Sequence, residues 1–310
     1  MLKPPTKQPR VDIFGEVLFD CFPDGRRVLG GAPFNVAWHL SAFGASPRLI
    51  SAVGDDPEGA QVRRAMADWG MDTSGLQTDP DHPTGEVRVT LARGEPSYEI
   101  IPDRAFDHIG PIDPGPPGAL LYHGTLALRR PLSAATLREL KAAGPGMRFL
   151  DVNLRDPWWS LDETLALLRG ADWVKLNRSE LLLLAGTHGT DAAGLAEQAS
   201  AFLAEHALTG LVVTLGGDGA LAIRGDEEPV RVAPGPALPV KDTVGAGDAF
   251  ASVLILGLIH GWPLATTLER AQAFASRIVE QQGATAQDPA LYRPFVDRWG
   301  IATTPDVSGS

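Results

Sequence analysis

The sequence predicts an α/β fold, in which a central and mainly parallel β-sheet lies between two layers of helices and a small β-sheet is inserted. Two observations support this prediction. Short apolar segments rich in β-branched residues alternate along the chain with amphipathic segments of helical periodicity, which is typical of a parallel sheet covered by helices on both faces. One segment interrupts that alternation with two adjacent strand patterns, as a β-insertion would.

The predicted elements of the central layers follow one another along most of the chain. The strand candidates are residues 11–20, 48–53, 119–123, 148–153, 173–177 and 211–215. The helix candidates are residues 57–69, 133–143, 161–169, 191–206, 247–260 and 263–280. The strand candidate at 211–215 is apolar nearly throughout, as expected of a strand that is buried on both faces.

The inserted segment, residues 85–102, is predicted to form two adjacent strands, 86–92 and 97–102, joined by a turn at 93–96. Apolar and polar side chains alternate along the first of them, so one face should be exposed to solvent. Such a hairpin is either a lid over a site or an edge hairpin with no functional role. Since no repeat or low-complexity linker is present, we expect one domain, 1–310, with lid strands from about 15–30 and 85–106.

Composition excludes several classes of protein. A formal net charge of −11 with 44% hydrophobic residues predicts a large core and argues against nucleic-acid binding, which needs a basic surface. The single cysteine, Cys21, rules out an intrachain disulfide and disfavours a cysteine zinc site. The N-terminal residues contain no signal-peptide pattern, and the longest apolar run, 249–259, is too short to span a bilayer. We therefore expect a cytoplasmic protein without membrane or nucleic-acid partners.

The segment Asp-Thr-Val-Gly-Ala-Gly-Asp-Ala-Phe at 242–250 carries the clearest chemical signal. Two glycines precede an apolar helix, so backbone N–H groups at its N-terminus would form an anion site. Asp248, in the first turn, either favours the helix or takes a proton from a hydroxyl nucleophile while the amides of 245–247 hold phosphoryl charge. A dinucleotide-binding loop is disfavoured, because the third glycine of that motif is missing.

This segment resembles the C-terminal signature of the PfkB, or ribokinase-like, carbohydrate kinases. Residues 30–37, with a Gly-Gly pair and an Asn, resemble the family's N-terminal signature, and the resemblance extends over about 11–286. It implies a three-layer α/β/α ribokinase-like fold with a β-sheet lid and ATP-dependent phosphorylation of a sugar hydroxyl. In the family, the catalytic base would be Asp248 and the anion hole would be Gly245, Ala246 and Gly247.

Other site residues follow from the resemblance, and each has an alternative structural reading. The predicted sugar-binding residues are Asp20, Gly30, Gly31, Asn35 and Arg155. Asp20 could instead cap a turn, and Asn35 could be a helix-start residue without a ligand. Arg155 follows the strand candidate at 148–153, and ligands of open α/β sheets bind beyond the carboxyl ends of the strands. We therefore expect Arg155 to face the crevice.

The nucleotide side is predicted from the same resemblance. The expected nucleotide-binding residues are Asn177, Thr214, Gly216, Gly219, Asp242 and Thr243. Glu180, in the family's Asn-x-x-Glu motif, would help to hold Mg²⁺ through water, or would simply favour a helix N-terminus. Residues 282–285 resemble the loop that, with 242–244, holds a monovalent cation such as K⁺ in some family members.

The substrate is predicted less sharply than the reaction. Gly-Gly-Ala-Pro-Phe-Asn at 30–35 is more similar to fructokinases than to ribokinases, which usually carry a Lys after the Gly pair, so fructose is the first expectation. A 2-keto-3-deoxygluconate kinase would need extra cationic donors, for which Arg155 and Lys175 are available. Ribose and nucleoside kinases stay open. So does a different class, a non-catalytic sugar or nucleotide sensor, whereas a nicotinamide-dependent oxidoreductase is a third hypothesis.

Two further expectations concern histidines and assembly. His39 and His123 are predicted to be packed or hydrogen-bonded rather than catalytic. Lid strands with unpaired edges tend to pair between subunits, which predicts a homodimer.

Overall fold

The computed structural model describes residues 9–92, 95–189, 191–234 and 241–301. Its strands, in chain order, are β1 (Val11–Phe14), β2 (Leu18–Cys21), β3 (Arg27–Gly30), β4 (Pro47–Gly54), β5 (Leu76–Asp79), β6 (Gly85–Ala92), β7 (Glu95–Ile100), β8 (Leu120–His123), β9 (Arg148–Asp151), β10 (Trp173–Asn177), β11 (Gly210–Thr214), β12 (Ala220–Arg224) and β13 (Val230–Val232). Its α-helices are α1 (Ala32–Ala42), α2 (Pro57–Asp68), α3 (Pro131–Ala142), α4 (Leu161–Leu168), α5 (Arg178–Leu184), α6 (Ala192–Glu205), α7 (Ala246–His260), α8 (Leu264–Ile278) and α9 (Arg293–Trp299).

The central sheet has nine described strands in the order β13-β12-β11-β10-β9-β8-β1-β4-β5. The strands from β11 to β5 are parallel, and β12 and β13 extend the sheet in antiparallel fashion. The predicted mainly parallel sheet is therefore confirmed. All carboxyl ends of the parallel strands lie at one edge, which is where ligands of such sheets bind.

Helices cover both faces of this sheet, and β11 shows why. Val212 packs in a cluster with the apolar residues of α1, α7 and α8, whereas Leu211 and Val213 pack in another with those of α5 and α6. Side chains of a strand alternate between its faces, so neighbouring residues of β11 contact opposite layers. The α7 helix is apolar around its circumference and is buried from Ala249 to Gly257, as expected of a helix enclosed on all sides.

A smaller sheet of four described strands, in the order β3-β2-β6-β7, contains the predicted inserted hairpin as β6 and β7. Its predicted turn falls partly on residues 93–94, outside the described residues. The β2 strand pairs with β6 in parallel, so that Asp20 lies opposite Val87. This pairing joins the inserted hairpin to the segment that carries Asp20.

The prediction of one continuous strand at 11–20 is wrong. The chain leaves the central sheet after Phe14 and enters the small sheet at Leu18. Gly15 has a φ of +148°, and a Cβ there would lie 2.5 Å from the side chain of Pro33. Only glycine allows this close crossing, but a glycine between two apolar runs looks the same in sequence as one within a single strand.

Within the described ranges, no helix combines the length and the apolar character needed to cross a bilayer.

Candidate active site

Three residues near the start of the chain and one near its end meet between the small sheet and the N-termini of α1 and α7. The Asn35 side-chain amide donates a hydrogen bond to Asp248, with Nδ2 and Oδ2 2.8 Å apart. A Cβ placed on Gly30 would lie 3.8 Å from the Asn35 Oδ1 and 3.9 Å from the Asp20 Oδ2. The structure therefore brings Asp20, Gly30, Asn35 and Asp248 together around one small space.

Gly31 lets the chain turn into α1 at this place. It caps the helix with a φ of 107°, and a Cβ there would lie 2.7 Å from the carbonyl oxygen of Glu16. Pro33 follows in the first turn, where a residue without an N–H group is tolerated. As a result, Asn35 stands one turn into α1 and points toward α7.

The N-terminus of α7 forms the predicted amide-lined turn. Gly245 caps the helix with a φ of 80°, and a Cβ there would lie 2.3 Å from the Cβ of Ala284. The first N–H groups of a helix have no acceptor within it and can bind an anion, although that of Ala246 donates here to the Thr243 carbonyl at 3.4 Å. Burial of α7 strengthens the positive potential at this end.

Asp248 has a pKa raised to about 6, because it is partly buried and because Asp151 adds a like charge. The hydrogen bond from Asn35 and the charges of Lys175 and Arg155 act in the opposite direction. A carboxyl group that changes protonation near neutral pH has the property expected of a general base.

A buried ion pair lies beneath the amide-lined turn. The Lys175 Nζ is 2.9 Å from both carboxylate oxygens of Asp151, and the Tyr122 hydroxyl donates to the same carboxylate at 3.2 Å. Burial lowers the pKa of Lys175, but Asp151 more than compensates and the net pKa is raised. The Nζ lies 3.6 Å from where a Cβ of Gly247 would be, so the cationic end of this ion pair lies below the turn.

This pair corrects one prediction. Lys175 was expected to be available to an acidic substrate, but its side chain is buried and is held by Asp151. The exposed Arg155 stays on the crevice side. Its guanidinium donates to the carbonyl of Leu154 at 3.1 Å, and its charge lowers the pKa of Asp248.

Glu16 is a buried carboxyl group that sequence reasoning missed. Its pKa is raised to about 7, first by burial and then by the charge of Asp248. Among the residues that the structure describes, its Oε2 has no hydrogen-bond partner. The only sequence signal was an acidic residue between two apolar runs, and the assumption of a single strand from 11 to 20 hid it.

The predicted nucleotide side lies at the ends of β10 and β11. Asn177 and Thr214 are register neighbours in the last positions of these parallel strands. The turn after β11 contains Gly216 with a φ of 60° and Gly219 with a φ of 88°. A Cβ on Gly219 would lie 2.0 Å from the carbonyl oxygen of Val232, so this turn requires glycine.

Glu180 caps the N-terminus of α5 together with Asn177, which was the structural alternative to a role in holding Mg²⁺. Its backbone N–H donates to the Asn177 Oδ1 at 2.9 Å, and its Oε2 accepts the Asn177 N–H at 2.8 Å. Its Oε1 accepts the N–H of Leu154 at 2.8 Å. Both carboxylate oxygens are therefore occupied by backbone donors, and direct binding of a metal ion would have to displace one of them.

Asp242 holds two loops together beside the site. Its oxygens accept the N–H groups of Val244 at 3.0 Å and of Gly283 at 3.1 Å. Burial and, to a lesser extent, the charge of Asp242 raise the pKa of Asp20 to about 6. The pKa of Tyr98 on β7 is raised by burial and then by the same two carboxylates. The Tyr98 side chain is 51% exposed, and Thr243, next to Asp242, is also exposed.

The two singled-out histidines are packed, as predicted. His39 is buried between the Tyr292 hydroxyl at 2.9 Å and the Ala284 carbonyl at 3.0 Å, and burial lowers its pKa to about 3. His123 is buried with its Nδ1 2.9 Å from the Gly124 carbonyl, and its pKa is likewise lowered to about 3. Neither is suited to proton transfer at neutral pH.

Residues 15–291 match the sequence model of the pfkB family of carbohydrate kinases. The chain belongs to this family. It is 33% identical over 309 residues to a fructokinase from Klebsiella pneumoniae, covering 90% of this chain and 96% of the relative. The family assignment, the ribokinase-like fold and a phosphotransferase activity with an alcohol group as acceptor are thereby confirmed, and the sensor and oxidoreductase hypotheses gain no support.

Two solved structures of related kinases have the same architecture. A fructokinase from Vibrio cholerae O395, crystallised with fructose, ADP and calcium, superposes with a TM-score of 0.76 at 27% identity, covering 93% of this chain and 99% of that one. An aminoimidazole riboside kinase from Salmonella enterica, crystallised with aminoimidazole riboside and an ATP analogue, superposes with a TM-score of 0.79 at 25% identity, covering 93% and 99%. This pfkB kinase is therefore similar to enzymes that act on two different sugars.

Proposed function

We propose that this pfkB kinase is an ATP-dependent fructokinase, which transfers the γ-phosphoryl group of MgATP to a primary hydroxyl of fructose. The observation that carries the proposal is the Asp248 carboxyl group, which stands in the first turn of α7 and is bound by Asn35 at 2.8 Å. A base, an anion-binding turn and a polar pocket are then adjacent, as in-line transfer to an alcohol requires.

In this mechanism, Asp248 accepts the proton of the sugar hydroxyl while the hydroxyl oxygen forms a bond to the γ-phosphorus. The bond from that phosphorus to the bridging oxygen breaks, and ADP leaves with the bonding electron pair. The N–H groups of Gly245, Ala246 and Gly247 stabilise charge on the transferred group once that of Ala246 leaves the Thr243 carbonyl, and the Lys175 ammonium lies below them as the cationic end of the ion pair with Asp151. Catalysis therefore depends on orientation and electrostatics rather than on a covalent intermediate.

The pocket has the hydrogen-bonding character that a sugar needs. The Asn35 Oδ1 is buried without a hydrogen-bond partner among the described residues, so it can accept a hydrogen bond from a ligand. Asp20 offers further acceptors at the same place, and Gly30 leaves room between them. Since sugar hydroxyls are donors, Asp20, Gly30, Gly31 and Asn35 are proposed to bind fructose, with Arg155 at the rim.

The nucleotide and its ions fit the opposite side of the crevice. Asn177, Thr214, Gly216 and Gly219, with Asp242 and Thr243, are proposed to contact ATP. Mg²⁺ keeps several waters, so Glu180 would hold it through water without giving up its backbone hydrogen bonds. When bound, the ion neutralises phosphate charge. A monovalent cation such as K⁺ is proposed at the junction of the 242–244 and 282–285 loops.

Fructose is favoured over an acidic sugar, because the ion pair with Asp151 withholds Lys175 from the substrate. Aminoimidazole riboside is the second candidate, since a kinase of that sugar superposes with a TM-score of 0.79. The test is ADP release with MgATP and a panel of fructose, other hexoses, ribose, nucleosides, aminoimidazole riboside and 2-keto-3-deoxygluconate. Fructose should give the highest kcat/KM, and a higher value with another sugar would overturn the choice of substrate.

A pair of variants tests the role of Asp248. Asp248→Asn should lower kcat by about 10²–10⁴ while ATP binding by calorimetry persists. Asp162→Asn is the matched control, because Asp162 also lies in the first turn of a helix, α4, and its side chain is exposed. Near-normal turnover of Asp248→Asn would remove the assigned base.

Three further proposals concern organisation. The chain is one kinase domain over 1–310, and the β6–β7 hairpin closes over the sugar and excludes water. The edge strands of the small sheet, β3 and β7, are available for pairing in a homodimer. Light scattering measures the mass in solution, and hydrogen exchange with and without fructose measures closure of the hairpin.

A further inference from the structure

A cluster of two histidines and an aspartate lies where the inserted hairpin joins the rest of the molecule. The cluster consists of His82, Asp103 and His108, whose ligand atoms all lie within 4.8 Å of one another. His82 precedes the start of β6 at Gly85 by three residues, and Asp103 follows the end of β7 at Ile100 by three. The two connections that carry the hairpin are therefore adjacent at this cluster.

We propose that His82, Asp103 and His108 bind a divalent transition-metal ion such as Zn²⁺. Two imidazole nitrogens and one carboxylate oxygen are a ligand set that suits Zn²⁺ and its neighbours, whereas Mg²⁺ prefers oxygen ligands alone. This site is separate from the Mg²⁺ of the nucleotide and does not depend on the proposed kinase substrate.

Asp79 orients one of the ligands as metal sites commonly require. Its Oδ2 is 2.8 Å from the His82 Nδ1, and a carboxylate can only accept, so Nδ1 carries the proton. The lone pair of His82 is then on Nε2, which is available to a metal. The Asp79 Oδ1 also accepts the N–H groups of Asp81 at 2.8 Å and of His82 at 3.1 Å, which fixes the turn itself. A carboxylate bound to the far nitrogen of a metal-binding histidine is a frequent feature of such sites.

The other two ligands already have a suitable separation. The His108 Nε2 and the Asp103 Oδ1 are 3.1 Å apart. Two ligands at about 2.0–2.1 Å from a tetrahedral ion lie about 3.3 Å apart, so an ion could replace the hydrogen bond with little movement. The same oxygen is 3.5 Å from Arg130, a contact that the ion would replace.

One movement is required. The rings of His82 and His108 are stacked, with centroids 3.6 Å apart and planes at 10°. The lone pairs of parallel rings cannot converge on one ion, so binding has to tilt the rings apart. Because His82 and His108 belong to opposite connections, the ion would fasten the entry and the exit of the hairpin to each other and restrict its movement.

The experiment titrates ZnCl₂ into the full-length protein, after treatment with a chelator, and follows binding by calorimetry. We expect one Zn²⁺ per chain, with binding abolished in His82→Gln and in His108→Gln. Asp79→Asn should weaken binding by about 10–100-fold through loss of orientation. His188→Gln is the control, because His188 is an exposed histidine outside the cluster, and its affinity should equal that of the wild type.

Two additional readouts make the test specific. Co²⁺ bound by the wild type should give the visible absorption of a tetrahedral site, and His82→Gln should lack it. Hydrogen exchange in residues 85–100 should slow when Zn²⁺ is added to the wild type but not to His82→Gln. If His108→Gln fails to fold by circular dichroism, His82→Gln, on a connecting loop, decides. Absence of binding by the wild type, or equal binding by His82→Gln and the wild type, would overturn the proposal.

Discussion

Replacement of Glu16 by glutamine should change how the stability of the protein depends on pH. Burial raises the pKa of Glu16 from 4.5 to about 7 in the folded state. Because the folded pKa is raised, the folded state holds this proton more tightly, and the resulting stability is lost as the pH rises through about 7. A shift of this size corresponds to ~3 kcal/mol, which is large for one buried side chain.

Glutamine resembles the protonated form and has no proton to lose. The free energy of unfolding of Glu16→Gln relative to the wild type should therefore rise by ~2 kcal/mol between about pH 5.5 and about pH 8.5. Urea denaturation at the two pH values measures this difference, with the exposed Glu197→Gln in α6 as the control. A difference between Glu16→Gln and the wild type that stays constant with pH would refute the reasoning.

Three other predictions concern the amide-lined turn of α7 and the residues packed around it. Since the pKa of Asp248 is about 6, kcat/KM should increase as the pH rises through about 6. Asn35→Ala should move the midpoint of this pH profile upward, because the hydrogen bond from Asn35 lowers the pKa of Asp248. A kcat/KM that does not change with pH would contradict both expectations. Gly245→Ala should lower the free energy of unfolding by more than Gly70→Ala does in denaturant titrations. Both glycines have a positive φ, which costs an alanine about 1–3 kcal/mol, but only the new Cβ at 245 would also clash, 2.3 Å from the Cβ of Ala284. Lys175→Met should lower the free energy of unfolding by about 3–5 kcal/mol, because it leaves a buried and unpaired charge on Asp151. The loss should be smaller in the double variant Lys175→Met/Asp151→Asn. A loss in the double variant equal to the sum of the two single losses would contradict the ion pair.

The amide-lined turn at the start of α7 was predictable because its signal is local. Two glycines followed by an apolar run specify a helix N-terminus whose backbone is crowded against a neighbour, and the φ of 80° at Gly245 agrees with this. The same holds for the Asn177 and Glu180 capping box, whose partners are three residues apart. In both cases the residues that make the structure are neighbours in the chain.

Features that depend on long-range contacts were not predictable. Nothing near Lys175 in the sequence indicates that Asp151 captures it, because the two residues lie on neighbouring strands, β9 and β10. The chain divides into β1 and β2 at Gly15, where it passes close to Pro33. Glu16 follows this crossing, and its Oε2 has no hydrogen-bond partner among the described residues. The His82–Asp103–His108 cluster likewise exists only because β6 and β7 begin and end side by side.

The capping box at Glu180 has a mechanical consequence for the enzyme. Its carboxylate joins Leu154, next to Arg155 on the proposed sugar side, to Asn177 on the proposed nucleotide side. In the proposed mechanism, the gap between the two reactants would then be set by the hydrogen bonds of one carboxylate rather than by two independent loops. Any substitution that frees Glu180 would widen or loosen that gap, and water could then compete with the alcohol as the nucleophile.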